Sequence, residues 1–361
     1  MCQACGRSVA LRYGTAYFQL DAEPALFETA VRALAEGNSL NGTARIVQIA
    51  PDTVTDWLDR AAQQCRLVML YLWQNLHVTE CQLDELWSFV HTKEQHLDTA
   101  KLWSPTYGDA WVWIAFAPQW RLVAAFCVGK RDQASANLLL ERIVHVTDAH
   151  IPFFTSDQLA AYRTALLHAY GQWQYPERQG TRGRHPAPRR VPHPDLLYAH
   201  VVKTRAKGAV VGVSRNLIFG DPATLEQRLA ESVSSTTINT SFVERENLML
   251  RQHNRRLTRK TLGFTKEHPW LEKQLWLSLA YYHLVLPHSS LRKELLCPEP
   301  TYGNRTPRKW QPVTPAMAAG LTDHVWTTAE LLSYRVPAPF LDTLPQVEHV
   351  FPSPPPLHQG S

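Results

Sequence analysis

The chain has 361 residues, enough for two or three domains, and its 45% hydrophobic share is ordinary for a globular protein. No run of about eighteen uncharged apolar residues occurs, which excludes a hydrophobic membrane-spanning helix. Of six cysteines only Cys2 and Cys5 have motif spacing, which excludes a disulfide framework. With Met1 followed at once by Cys2-Gln3-Ala4-Cys5, the expectation is a leaderless chain in a reducing cytoplasm. The net charge of +5 is unevenly placed: Arg178 to Lys207 holds eight Lys/Arg against the single acid Asp195, leaving 29 bases and 31 acids elsewhere. Concentrated positive charge is how a polyanion-binding surface looks in sequence, although a solvated basic loop has the same signature.

In chain order, Cys2-Gln3-Ala4-Cys5 resembles one knuckle of a zinc ribbon. Structural zinc takes four ligands, so Cys2 and Cys5 are a half-site, and Zn²⁺ is expected only if the missing half is supplied. Residues 24 to 62 read as three short helices. Pro24 opens the first, and Leu26, Phe27, Ala30, Val31 and Leu34 repeat at helical spacing. Ser39 is placed to cap the second, Gln48-Ile49-Ala50 makes a turn, and Pro51 starts the third. Two helices about a three-residue turn give a helix-turn-helix pattern, with a plain three-helix bundle as the alternative. Asp52, Asp56 and Asp59 on the third helix weaken the case for groove reading, because carboxylates repel phosphates.

From Thr79 the pattern changes to strands. Glu80–Val90, Ala110–Phe116 and Arg121–Val128 read as three strands, followed by a helix at Gln133–Val146, a strand at Ile151–Thr155 and a helix at Leu159–Tyr170. This order predicts an α/β fold with a mixed sheet flanked by helices. Pro176 to Pro194 holds five prolines and five arginines and reads as a loop or insertion. Leu197–Lys203 and Ala209–Phe219 read as two more strands, Ala223–Ser232 as a helix, and a long polar helix is expected from about Ser241. The last 65 residues hold 12 of the 25 prolines, so the tail is expected to be mostly irregular, with Met317–Tyr334 as its one helical stretch and a break at Gly320.

Three acids stand where acids are costly. Asp84 lies inside an apolar strand, Asp157 ends a buried-looking one, and Glu244 sits early in the long helix. Buried carboxylates pair or bind metal, and oxygen ligands suit a pair of Mg²⁺ ions about 4 Å apart that activate a water or DNA hydroxyl toward a phosphodiester. Taken one by one, Asp84 also fits an exposed strand end, Asp157 a helix N-cap and Glu244 a solvated helix residue. Glu85 competes with Asp84 from the opposite face of the strand, and Glu246 competes with Glu244 from about 200° round the helix. Glu244, Leu248, Arg251 and Arg255 are expected on one helical stripe, with Arg256, Arg259 and Lys260 continuing the positive run.

Phe242-Val243-Glu244-Arg245-Glu246-Asn247-Leu248-Met249-Leu250-Arg251-Gln252-His253 with Arg259-Lys260-Thr261 resembles the acidic helix of insertion sequence 1-type DDE transposases. Leu83-Asp84-Glu85-Leu86-Trp87 resembles that family's first-acid strand, and Thr155-Ser156-Asp157 its second-acid position. The resemblance covers roughly Cys2 to His288. It implies a ribonuclease-H-like fold, a catalytic and metal-binding triad of Asp84, Asp157 and Glu244, two Mg²⁺ or Mn²⁺ ions, and cutting and joining of DNA at inverted-repeat ends by a homo-oligomer in the nucleoid. No small-molecule substrate is implied. Two departures are a missing first half of the zinc ribbon and a proline-rich tail longer than in the shorter members. The expected organisation is a ribbon remnant at 1–20, a helix-turn-helix region at 21–76, a catalytic domain at 77–288 with a basic insertion at about 172–207, and a tail at 289–361. DNA contacts are expected from Arg182, Arg184, Arg189, Arg190, Lys203, Arg205, Lys207, Arg251, Arg255, Arg259 and Lys260. Rival readings are a transposase-derived repressor, another ribonuclease-H-like nuclease such as a junction resolvase or hybrid nuclease, and, more distantly, a glycosidase, which leaves the basic segments unexplained.

Overall fold

The computed structural model describes residues 10–98, 106–178, 186–300, 306–344 and 346–347. Its elements in chain order are α1 (Pro24–Ala35), α2 (Leu40–Val47), α3 (Pro51–Leu72), β1 (Glu80–Val90), β2 (Gly108–Ala117), β3 (Leu122–Gly129), α4 (Gln133–Val146), β4 (Phe153–Ser156), α5 (Ala160–Tyr170), β5 (Gly171–Gln174), β6 (Arg189–Pro192), β7 (Tyr198–Ala206), β8 (Ala209–Phe219), α6 (Pro222–Glu231), α7 (Ser241–His253), α8 (His268–Leu284), β9 (Lys293–Glu299), β10 (Arg308–Gln311), α9 (Pro315–Ala318), α10 (Thr328–Ser333) and α11 (Ala338–Leu341). They divide into two compact units. One comprises 1–73, 88–109 and 248–361; the other comprises 74–87 and 110–247.

The first unit is helical. Pro24 and Pro51 sit in the first turns of α1 and α3, where a missing N–H costs nothing. The Ser39 side chain caps α2 by accepting from Gly42 N, and Gln48 ends it in the left-handed region at φ 57°. α1 buries Phe27, Ala30, Val31 and Leu34, and the Phe27 ring meets Trp57 of α3 edge-on at 5.4 Å. α3 runs 22 residues, well past the short helix expected, and packs along α8. In α8 every residue from Leu271 to Leu284 is buried, charged ones included. Lys273 pairs there with Asp59, and Gln274 Nε2 donates to Leu34 O at 3.1 Å. The described residues of the tail hold more regular structure than its prolines suggest. α10 packs on α3, Gln64 Nε2 donates to Tyr334 O at 2.6 Å, and β9 and β10 form an antiparallel pair. The single helix expected over Met317–Tyr334 is two short ones, α9 and α10, parted by a stretch that begins at Gly320 with φ 73°.

The second unit is an α/β layer structure around a six-stranded mixed sheet of order β3-β2-β1-β4-β7-β8. β2/β3 and β7/β8 are antiparallel, whereas β1/β4 and β4/β7 are parallel. Neighbouring strand residues face opposite ways, and β4 shows the consequence. Phe153 joins Ala199, Val201, Leu225 and Ile238 on the side of α6, while Phe154 meets Tyr170 of α5 on the other. Helices therefore cover both faces. Around the expected insertion, β5 and β6 form a small antiparallel pair. Among the described residues no helix is long and apolar enough to cross a membrane.

Candidate active site: a carboxylate cluster in the mixed sheet

β1 and β4 run parallel with Gln82 opposite Thr155. Two residues beyond Gln82 stands Asp84, on the face of α7, whose Asn247 donates to it; Thr155 Oγ1 also donates to Asn239 O at 3.0 Å just before that helix. Asp157 follows Ser156 past the end of β4, and its charge acts on Glu85, Tyr162, Tyr198 and His200 as well as on Asp84. Gln82 fixes the helix itself. Its Oε1 accepts from Phe242 N at 3.1 Å and Val243 N at 3.0 Å, answering two of the backbone donors that any helix start leaves open. Glu244 follows in the first turn of α7, where the helix dipole favours a carboxylate.

Each carboxylate has its own partners. Asp84 Oδ1 accepts from Glu85 N at 2.9 Å, and Asp84 Oδ2 from Asn247 Nδ2 at 2.7 Å. Asp157 Oδ1 accepts from Leu159 N at 2.9 Å, just before α5. Glu244 Oε1 accepts from Thr240 Oγ1 at 2.7 Å and from the Lys203 ammonium of β7. Burial, the Glu85 charge and the more distant charges of Asp157 and Glu244 push the Asp84 carboxyl up to about 7. The charges interact, yet among the described residues no three His, Cys, Asp or Glu side chains form a metal-holding group. The Lys203 ammonium neutralises Glu244, and Asn247 Nδ2 donates to the Asp84 carboxylate.

Glu85 points the other way, as alternation requires. Its side chain is only 3% exposed, paired with Arg131 and accepting from Tyr162 O–H at 3.0 Å. It is thus an anchor between β1 and the helices behind the sheet. On that same side, Ser156 Oγ and His200 Nε2 flank Tyr198 Oη at 2.7 and 2.8 Å. Glu246 is buried within α7.

The basic residues expected from sequence divide. Arg182 and Arg184, like Cys2 and Cys5, lie outside the described residues. Arg189 is exposed and bonded to Gln174, while Arg190 caps the last carbonyls of α5 and lies over the Trp173 ring. Arg205 and Lys207 are exposed on β7 and its turn. The stripe expected from Glu244 to Arg255 is not formed: α7 ends at His253. Asn254 takes an extended backbone and its Oδ1 accepts from Arg256 N at 3.0 Å, so Arg255 belongs to a separate 3₁₀ turn. Arg251 lies in the last turn of α7, and Arg259 and Lys260 are exposed beyond it, all three in the helical unit.

Sequence reasoning missed Asn247, which is 5% exposed with its Oδ1 buried and without a hydrogen-bond partner. Its position three residues after Glu244 was the available signal, since such pairs share a helix face. Comparison with protein-family models gives no match, and none of the curated proteins matches the chain.

Proposed function

We propose that the chain is a metal-dependent DNA transposase of the insertion sequence 1 type, built on a ribonuclease-H-like domain, with Asp84, Asp157 and Glu244 as its catalytic triad. The carrying observation is the carboxylate cluster: one largely buried acid, Asp84, is held at about 7 by burial and by the charges of Glu85, Asp157 and Glu244. Such a cluster is stabilised by added cations. Its donors are hard oxygens, which suit Mg²⁺ or Mn²⁺. Adjacent parallel strands bearing the first two acids, with the third on a helix pinned to the first strand by Gln82, support the ribonuclease-H-like reading.

Asp84, Asp157 and Glu244 would hold the ions, two of them by the resemblance. When bound, the metal lowers the pKa of a water or a DNA 3′-hydroxyl and neutralises charge on the phosphodiester. Asn247 orients the Asp84 carboxylate, and Thr240 orients that of Glu244. Lys203, displaced from Glu244, becomes a phosphate contact within reach of the acids. Element ends and target DNA are the partners, engaged by a homo-oligomer in the nucleoid. The helix-turn-helix role falls to α2 and α3, although Asp52 and Asp56 are exposed at the start of α3, which limits its affinity for phosphates. Zinc at Cys2 and Cys5 belongs to the same proposal only if further ligands complete the site.

A second reading, a transposase-derived repressor, is favoured by one observation: the Lys203 ammonium already neutralises Glu244. The test separates them. Asp84→Ala, Asp157→Ala and Glu244→Ala each abolish Mg²⁺-dependent nicking and joining of a duplex bearing the element's ends and keep DNA binding, because metal ligands act as a unit. Glu246→Ala keeps appreciable activity. A wild-type chain that binds those ends and never cuts them, with Mg²⁺ or Mn²⁺, is the repressor.

A further inference from the structure

The hairpin of β7 and β8 turns on Lys207 and Gly208, with φ of 48° and 83°, the left-handed pair of a tight two-residue connection. From Thr204 to Val213 it is exposed throughout except at Gly212, which is half-buried. Val210, Val211 and Val213 are 45%, 62% and 43% exposed. Val210 and Val211 are consecutive, so both faces of this outer ribbon are uncovered. Val211 is the extra residue where Thr204 pairs with Gly212 and Arg205 with Val210, and such a bulge strengthens the local twist. β8 is also the last strand of its sheet, so its outer edge offers open backbone groups. The charge is one-sided: residues 196–220 hold Lys203, Arg205, Lys207 and Arg215 and no Asp or Glu.

A projecting, twisted, acid-free ribbon with apolar exposed side chains needs a partner, since a bare valine-rich edge is an aggregation hazard. A second copy is a poor fit, because pairing two β8 edges assembles the cations of both ribbons in one sheet with no acid among them. A polyanion fits. About five residues per strand reach roughly 16 Å, and the major groove of duplex DNA, about 12 Å wide and 8.5 Å deep, admits a two-stranded ribbon. We propose that the outer β7–β8 hairpin is a duplex-DNA-binding ribbon that enters a groove, with Arg205 and Lys207 on the phosphates and Val210, Val211 and Val213 against sugar and base edges. The inference rests on the reading of the chain as a DNA-handling enzyme and adds to it the element that grips the duplex outside the carboxylate site.

The test uses the full chain and a duplex of about 30 base pairs, with binding followed by fluorescence anisotropy at several salt concentrations. Arg205→Glu with Lys207→Glu is expected to weaken duplex binding at least tenfold and to lower the log–log salt slope by about two, close to one per lost phosphate contact. Val210→Ser with Val211→Ser and Val213→Ser is expected to weaken it severalfold and leave the slope unchanged. All five positions are solvent-facing, so melting temperatures stay level and a fallen affinity is not a folding defect. Unchanged affinity in both variants overturns the proposal. Unchanged affinity together with a shift from dimer to monomer in sedimentation assigns the edge to a second copy instead. If the hairpin variants bind normally while the triad still governs cleavage, only this proposal fails. If the hairpin governs binding while the triad variants still cut, the proposed function fails and the ribbon stands.

Discussion

The two units bury polar groups in opposite ways. In the helical unit, Lys273 lies beside Asp59 and over the Trp270 ring, and the fully buried His283 is kept uncharged, its imidazole pushed down to about 3 by burial. In the sheet unit, the charges of Glu85, Asp157 and Glu244 add to burial at Asp84, whose carboxyl is left at about 7. The first arrangement serves the fold, since each group sits in the protonation state its surroundings prefer. The second leaves a carboxyl destabilised by burial and by the charge of its neighbours.

The contrast predicts opposite responses to pH. His283 is neutral in the folded chain and free to charge in the unfolded one, so its contribution is present above about 6.5 and is lost as pH falls toward 3. The full difference is on the order of 5 kcal/mol. His283→Leu is therefore expected to flatten the acid limb of stability against pH, measured by denaturant titration, whatever it costs at pH 7. An unchanged limb would show that His283 is not the acid-labile group. Asp84 acts with the other sign. Its folded carboxyl holds a proton more tightly than the unfolded one, so stability falls as pH rises from about 4 to about 7. Asp84→Asn is expected to be more stable than wild type above pH 7, by on the order of 3 kcal/mol once residual solvent is discounted, and equal to it below pH 4. The unpartnered Asn247 Oδ1 lets that amide turn over to accept from the new side chain. A lower melting temperature at pH 8 would mean that Asp84 is not under electrostatic strain.

The smallest expected effect concerns Asn247. It touches Asp84 rather than substrate, so it is a positioning residue. Asn247→Ala should weaken Mn²⁺ binding about tenfold or more, as loss of a group that orients a metal ligand does, and should cost on the order of 1 kcal/mol of stability without metal, because it removes a buried partner of Asp84. Unchanged Mn²⁺ affinity would reduce Asn247 to a packing residue.

Much of the sheet unit was legible because its strands and helices carry clean periods. Glu80–Val90, Gln133–Val146 and Ala209–Phe219 lie where pattern alone puts them. α8 was not legible, since a helix buried all round has no stripe to read. The end of α7 was missed because Asn254 competes for the backbone through its own side chain, a local effect that a charge pattern running through Arg255 conceals. In the candidate site, Asp84 and Asp157 stood out as acids at apolar strands. The Lys203–Glu244 pair and the Asn247–Asp84 bond join residues 41 and 163 positions apart, and only the fold brings them together.

The proposed activity requires Asp84, Asp157 and Glu244 to act together on a divalent cation. The most direct test is Mn²⁺ binding by the full chain, followed by electron paramagnetic resonance of the free ion, in wild type and in Asp84→Ala, Asp157→Ala, Glu244→Ala and Glu246→Ala. Wild type and Glu246→Ala are expected to bind, with at least a tenfold loss in each of the other three. Binding that persists unchanged in all three, or is absent from the wild-type chain, contradicts a shared cation site.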